Sequence, residues 1–109
     1  MKKLEEKFRK GCREFQRLYS DERITIYQIV LTYPTGAKDT YLEVFKPVIC
    51  KTNIFVEEEY EKYPANEEFG ARAWTITTMG SLRKILTNEF GLSQDEINTI
   101  AENAKIHLP

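Results

Sequence analysis

Two neighbouring runs rich in β-branched and aromatic residues constrain the fold of this chain most. Residues 23–33 read RITIYQIVLTY and residues 40–51 read TYLEVFKPVICK. The stretch between them, PTGAKD, contains the proline and glycine that favour a turn. The sequence therefore predicts an antiparallel hairpin. Pro47 lacks a backbone donor, so the second run is predicted to lie at a sheet edge or to carry a bulge.

Two later segments predict further strands. Residues 53–63, NIFVEEEYEKY, form the third, whose second half is too charged to be covered on both faces. Residues 71–78, ARAWTITT, form the fourth. In this segment one face is formed by Trp74, Ile76 and Thr78 and the other by Ala73, Thr75 and Thr77. This alternation predicts one buried and one exposed face, with Trp74 buried.

Residues 4–19 carry their apolar side chains at helical spacing, which predicts an N-terminal helix packed on a core. Arg9, Arg13 and Arg17 then lie together on the opposite side of that helix. Gly11 falls within the apolar stripe, where it allows another element to approach closely. The apolar residues of the stripe are Leu4, Phe8, Cys12, Phe15, Leu18 and Tyr19.

The end of the chain predicts two more helices. Met79, Leu82, Leu86 and Phe90 follow helical spacing, and Gly91 stands where a left-handed C-terminal cap is expected. Ser93 and Glu96 form a capping box for the last helix. At 109 residues, the chain is predicted to be a single domain, 1–109. The predicted class is α+β: an N-terminal helix, a mainly antiparallel sheet of three to four strands, and two C-terminal helices packed on one face.

Charge is close to balanced overall but unevenly placed. The formal net charge is −1, which excludes a strong overall attraction to nucleic acid or anionic membranes. Residues 2–17 hold seven basic and three acidic side chains, whereas residues 57–68 hold six glutamates and one lysine. We interpret this asymmetry as a means of steering a protein partner. A charged edge strand protected against aggregation is the structural alternative. The candidate interaction residues are Glu57, Glu58, Glu59, Glu61, Glu67, Glu68 and Arg72.

Residues 63–74, YPANEEFGARAW, concentrate aromatic and turn-forming residues. One interpretation is a short turn tacked onto the sheet by Tyr63, Phe69 and Trp74; the other is an exposed recognition patch. The pattern of Tyr-Pro, Glu, Phe-Gly and Ala-Trp resembles small uncharacterised proteins of phages and mobile elements. This resemblance implies an accessory protein of such an element, with no assigned activity.

Nucleic-acid binding is the alternative function. The basic side chains Arg9, Arg13 and Arg17 match phosphate contacts. Residues 82–103 also fit a helix-turn-helix, although Asp95, Glu96 and Glu102 on its second helix repel phosphates.

Motifs for catalysis and metal binding are lacking in the sequence. None of CxxC, HExxH, GxGxxG, GxxxxGK[ST] or GxSxG occurs. We therefore expect a non-catalytic protein without cofactor or metal. Two carboxylates converging from separate elements, such as Glu43 and Glu57, are the remaining catalytic alternative. Cys12 and Cys50 are not closely spaced, and we expect a cytoplasmic protein with reduced cysteines and no membrane span, either monomeric or self-associating.

Overall fold

The main feature of the computed structural model, which describes residues 3–50 and 58–108, is an antiparallel sheet of five strands. A smaller sheet of two strands, a 3-10 helix (Asn66–Glu68) and two α-helices complete the described part of the chain. The elements are β1 (Lys7–Lys10), β2 (Arg13–Ser20), β3 (Thr25–Thr32), β4 (Lys38–Phe45), β5 (Val48–Cys50), β6 (Tyr60–Lys62), β7 (Ala73–Ile76), α1 (Met79–Asn88) and α2 (Gln94–Asn103). The order in the main sheet is β1-β2-β3-β4-β7, and β5 pairs with β6.

The predicted N-terminal helix is wrong, because this segment forms the β1–β2 hairpin. Lys10 pairs with Arg13 across a two-residue turn, and Phe8 pairs with Phe15. Gly11 begins the turn with a φ of 59°, a left-handed conformation that glycine adopts without steric cost. The glycine that the helical interpretation placed inside an apolar stripe is therefore a turn residue.

A bulge in β2 explains why the segment imitates a helix. The β2–β3 register shifts between Arg17 and Tyr19. Because of this shift, Leu18 and Tyr19 both pack against the helix side of the sheet, whereas Phe15 lies on the other side. Leu18 and Tyr19 are three and four positions beyond Phe15, and this spacing fits the helical period of 3.6 residues better than the strand period of 2.

The hairpin predicted from the central runs is confirmed. Strands β3 and β4 pair in register from Thr25–Phe45 to Thr32–Lys38. Pro47 lies in the short break between β4 and β5, where the chain leaves the main sheet. The end of the third predicted strand is β6, and residues 51–57 lie outside the described residues.

The two C-terminal helices are confirmed and cover one face of the sheet. Gly91 has a φ of 64° just beyond α1. The Ser93 hydroxyl accepts from the Glu96 amide at 3.2 Å, and the Glu96 carboxylate accepts from the Ser93 amide, which completes the capping box. The buried side chains of this first core are Ile24, Ile26, Leu42, Val44, Ile76, Leu82, Leu86, Leu92, Ile97, Ile100 and Ile106.

The opposite face of the sheet carries a second core. The alternation in residues 71–78 had predicted that this face is exposed. Ala73, expected on the exposed face, is fully buried there. Trp74, expected to be buried, is half-buried on the helix side. The buried side chains of the second core are Phe15, Tyr27, Ile29, Phe45 and Ala73, and Leu4, Phe8, Tyr41, Tyr63 and Phe69 pack against them. Both faces of the sheet are therefore covered, one by helices and one by irregular chain.

Candidate functional site

Tyr63 lies at the centre of an aromatic cluster on the second face. Its ring centroid is 5.8 Å from that of Phe8, 5.5 Å from Phe15, 5.3 Å from Tyr27 and 5.0 Å from Phe45. Strands β1 to β4 each supply one of these rings, because each presents an aromatic residue on this face. Contacts of this geometry stabilise the packing beyond simple area burial. The tyrosine of the YPANEEFGARAW segment thus fixes that segment onto the sheet.

Glu43 lies on the same face of β4, in register between Tyr27 on β3 and Thr75 on β7. The Tyr63 hydroxyl donates to Glu43 Oε1 at 2.5 Å. Burial raises the pKa of the Glu43 carboxyl, against the opposing effects of the Tyr63 hydrogen bond, Arg13 and Lys10. Burial, followed by the bond to Glu43, also raises the pKa of Tyr63, which therefore stays protonated as the donor. The pair fixes one carboxylate oxygen.

The second face opens beside Glu43 into a cleft of about 530 Å³, which we call the Glu43 cleft. It forms because the aromatic cluster fills only one end of this face. The Tyr33 hydroxyl donates to Asp39 Oδ2 at 2.5 Å across the end of the β3–β4 hairpin. Tyr33 is 40% exposed, a high value for so large a side chain. The apolar and aromatic lining residues are Leu31, Tyr33, Tyr41 and Phe69.

Charges of both signs line the Glu43 cleft. The carboxylates are Asp39 and Glu43, and the cation is Arg13 on β2. Within residues 3–50 and 58–108, Arg13 makes no ion pair with Glu43, and the Oε2 atom of Glu43 has no hydrogen-bonding partner. One oxygen of Glu43 is thus positioned by Tyr63, and the other can accept from a group that enters the cleft.

Three polar side chains hold residues 3–6 against the far end of the second face. The Tyr27 hydroxyl donates to the Glu5 carbonyl at 2.6 Å, and Arg17 Nη1 donates to the Leu4 carbonyl at 3.1 Å. Glu61 Oε1 accepts from the Leu4 amide at 3.0 Å. Burial raises the pKa of Tyr27 to about 12. Glu61, one of the predicted interaction residues, thus makes a contact within the chain.

The other predicted interaction residues are also dispersed. Arg72 Nε lies 2.5 Å from Glu68 Oε2, and Lys62 Nζ lies 3.5 Å from Glu68 Oε1. Arg72 first, and Lys62 after it, oppose the effect of burial and lower the pKa of Glu68. Glu67 is exposed on the 3-10 helix. Glu68 and Arg72 thus stabilise the turn between β6 and β7.

The catalytic alternative, in which Glu43 and Glu57 converge, cannot be compared with the structure because Glu57 lies outside the described residues. Glu58 is exposed and Glu59 is half-buried. Among the described residues from 58 onwards, Asn66 and Phe69 line the Glu43 cleft, whereas the described glutamates of the acidic segment do not.

The basic face predicted for an N-terminal helix does not form. On β2, Arg13 and Arg17 lie on the same face as Phe15, whereas Arg9 on β1 is next to Phe8 and lies on the other face. Arg9 Nη1 pairs with Glu14 Oε1 at 3.5 Å on the surface. Because alternate residues of a strand point to opposite faces, these three arginines are divided between two surfaces.

The second of the two C-terminal helices, α2, exposes acidic side chains, as the sequence indicates. Asp95, Glu96 and Glu102 are exposed on α2. Glu96 Oε2 accepts from Arg23 Nη1 at 3.0 Å, and this bond lowers the pKa of Glu96. A helix with these carboxylates repels the phosphates that a recognition helix approaches.

The described residues contain neither a metal-binding cluster nor a membrane-spanning helix. Among the described residues, no three or more His, Cys, Asp or Glu side chains are close enough to hold a metal ion. In the same ranges, no helix has the length and apolar character that crossing a bilayer requires.

Sequence reasoning missed the Glu43–Tyr63 pair, although a signal for it exists. In the β4 sequence, Glu43 occupies the same alternating positions as Tyr41 and Phe45. A carboxylate in an aromatic register indicates either a surface position or a polar partner. The structure, in which Phe45 is fully buried and Tyr41 is half-buried, shows that the polar partner applies here, but the spacing does not identify Tyr63 as that partner.

Comparison of the chain with protein-family models, with curated proteins and with solved structures finds no match. The geometry and chemistry of the Glu43 cleft are therefore the basis for a functional proposal.

Proposed function

We propose that this chain is a non-catalytic binding protein that engages a protein partner at the Glu43 cleft. The observation that carries the proposal is an open concavity with aromatic walls and a carboxylate held in place by Tyr63. Aromatic residues and arginine are the side chains most enriched where binding energy concentrates. The resemblance of residues 63–74 to phage and mobile-element proteins supports an accessory role in that setting.

The shape and chemistry of the cleft favour a protein partner over a small molecule. Sites for small ligands enclose most of the ligand surface, whereas this cleft is open along the sheet. Protein interfaces combine an apolar centre with a polar rim. Here Leu31, Tyr41 and Phe69 supply apolar surface, and Arg13 and Asp39 supply charge.

Nucleic-acid association is the less supported function. Arg9 and Arg13 lie on opposite faces of the sheet, and α2 exposes carboxylates. A sequence-independent contact with phosphates needs several basic groups on one surface.

A comparative capture experiment tests the proposal. Tagged wild-type protein, Glu43→Gln and the control Glu102→Gln are incubated with lysate of the native host, with and without nuclease treatment, and bound proteins are quantified by mass spectrometry. Glu102 is exposed on α2 and is not one of the residues that line the cleft. Its substitution by glutamine changes the net charge by the same amount as Glu43→Gln. We expect a protein bound by the wild type and the control but depleted with Glu43→Gln. Equal recovery with all three proteins, or recovery that nuclease abolishes, contradicts the proposal.

A further inference from the structure

The two edges of the main sheet differ in charge. Edge strand β1 carries Lys7, Arg9 and Lys10 among its four residues, whereas edge strand β7, Ala73–Ile76, carries no charged residue. Charged side chains on an edge strand discourage pairing with another chain. By this criterion, its charged side chains protect β1 against pairing with another chain, whereas β7 lacks this protection.

The register determines which backbone groups of β7 point away from β4. The Lys46 amide donates to the Arg72 carbonyl at 2.9 Å, which makes Lys46 and Arg72 a hydrogen-bonded pair. Hydrogen-bonded and non-hydrogen-bonded pairs alternate along an antiparallel ladder. The next hydrogen-bonded residue of β7 is Trp74, so the N–H and C=O of Ala73 and Thr75 point outward.

The described residues cover only part of this outer edge. The Gly70 amide donates to the Ala73 carbonyl at 2.7 Å, and Phe69 forms a parallel bridge with Ala73. Within residues 3–50 and 58–108, no comparable backbone bond is made by the outward groups of Thr75. A donor and an acceptor are therefore presented together at Thr75, immediately beyond the covered position.

Concave surfaces flank Thr75 on both faces of the sheet. The Glu43 cleft is on one side, and a second concavity of about 350 Å³ lies on the helix side. Trp74, Ile76 and Ile85 give the second concavity apolar walls, and both concavities include Phe69 and Thr75.

The geometry points to strand addition: β7 accepts an extended segment of a protein partner, in which a basic residue stands between two apolar residues. This inference rests on the proposed function and specifies its partner. Strand addition gains affinity from main-chain hydrogen bonds and specificity from pockets that receive alternate side chains. The basic residue lies opposite Thr75 and points to the face that carries Glu43. Its two neighbours point to the concavity on the helix side.

Distances within a sheet support the choice of a basic residue. The added residue opposite Thr75 is two strand spacings from Glu43, on the order of 10 Å between the backbones. Lysine and arginine have long apolar stems that can cross Thr75 and bring the cation towards Glu43 Oε2. Arg13 does not occupy this position, because it lies on β2, beyond both β3 and β4 from β7.

Selection from a random peptide library on the folded protein tests the inference. We expect enriched peptides to carry lysine or arginine flanked on both sides by apolar residues. Glu43→Gln should weaken such a peptide about tenfold, the effect expected for losing one charge-assisted hydrogen bond. The same substitution should leave a glutamine-centred analogue unchanged. Failure to enrich any peptide, or enrichment without this alternation, overturns the inference.

Backbone methylation tests strand addition without altering the protein. An enriched peptide is methylated on the amide nitrogens of either odd or even positions. We expect one series to lose binding and the other to retain it, because alternate amides face the edge. Thr75→Pro removes the outward N–H and should likewise abolish binding, with Thr75→Val as the matched control. Equal binding by both methylated series refutes strand addition, while the proposed function stands if binding still depends on Glu43.

Discussion

The substitution Tyr63→Phe isolates the hydrogen bond on which the Glu43 cleft depends. It retains the ring that contacts four other aromatic rings and removes only the hydroxyl that donates to Glu43. A hydrogen bond to a charged group contributes about 1.5–3 kcal/mol, and the half-buried position of Glu43 favours the lower value. We therefore expect the free energy of unfolding to fall by about 1.5 kcal/mol at about pH 8. For a chain of this size, the corresponding fall in Tm is about 6 °C.

The cost of Tyr63→Phe should depend on pH in a defined direction. Burial raises the pKa of Glu43 above its ordinary value of 4.5, so in the window above 4.5 the folded state binds more protons than the unfolded state. The contribution of Glu43 to stability is therefore greatest below that window and falls as pH rises through it. Since the Tyr63 bond favours the ionised carboxylate, removing it costs most above the window. Below it, a neutral bond of about 1 kcal/mol or less is lost.

Chemical denaturation at about pH 4 and about pH 8 measures both costs. Glu43→Gln provides the control background, in which Tyr63→Phe should have a smaller effect that does not change with pH. A cost that is the same at both pH values in the wild-type background, or no cost at all, refutes the reasoning.

Three further predictions concern the fold. Leu86→Ala and Phe15→Ala should each lower the free energy of unfolding by about 3 kcal/mol in urea titrations, because Leu86 is buried in the first core and Phe15 in the second. A loss below about 1 kcal/mol for Phe15→Ala contradicts the second core. Gly11→Ala should lower Tm because its φ is 59°, whereas Gly80→Ala in α1 should raise it by reducing chain entropy; the opposite order contradicts the assigned turn. Ser93→Ala should cost about 1 kcal/mol by removing the cap of α2, and a neutral result in thermal unfolding contradicts the capping box.

The sequence predicts the elements whose signals are local. The Ser93 capping box, the left-handed Gly91 and the central hairpin each depend on residues within a few positions of one another. The N-terminal error arises where two different structures give similar spacing. Phe8 and Phe15 are seven residues apart, which fits two helical turns, yet they face each other across a hairpin. Gly11 was the local signal for the turn.

The candidate site could not be read from the sequence because its residues meet only through the sheet. Glu43 and Tyr63 are 20 positions apart, and no spacing rule predicts that one hydrogen-bonds the other. The sequence draws attention to the YPANEEFGARAW segment, but the role of the segment depends on which side chains turn inward. Phe69 and Asn66 line the cleft, whereas Glu68 pairs with Arg72. The second core determines which side chains of this segment turn inward.

Site-specific photo-crosslinking tests most directly whether a partner occupies the Glu43 cleft. A photoreactive amino acid replaces Tyr33, which is exposed at the rim of the cleft, or, in the control, Asn103, which is exposed at the end of α2. We predict that irradiation in the native host covalently captures a protein at position 33 and that capture at position 103 is much weaker. Glu43→Gln should reduce the amount of the product formed at position 33. Equal capture from both positions, or capture from position 33 that is unaffected by Glu43→Gln, would contradict the account.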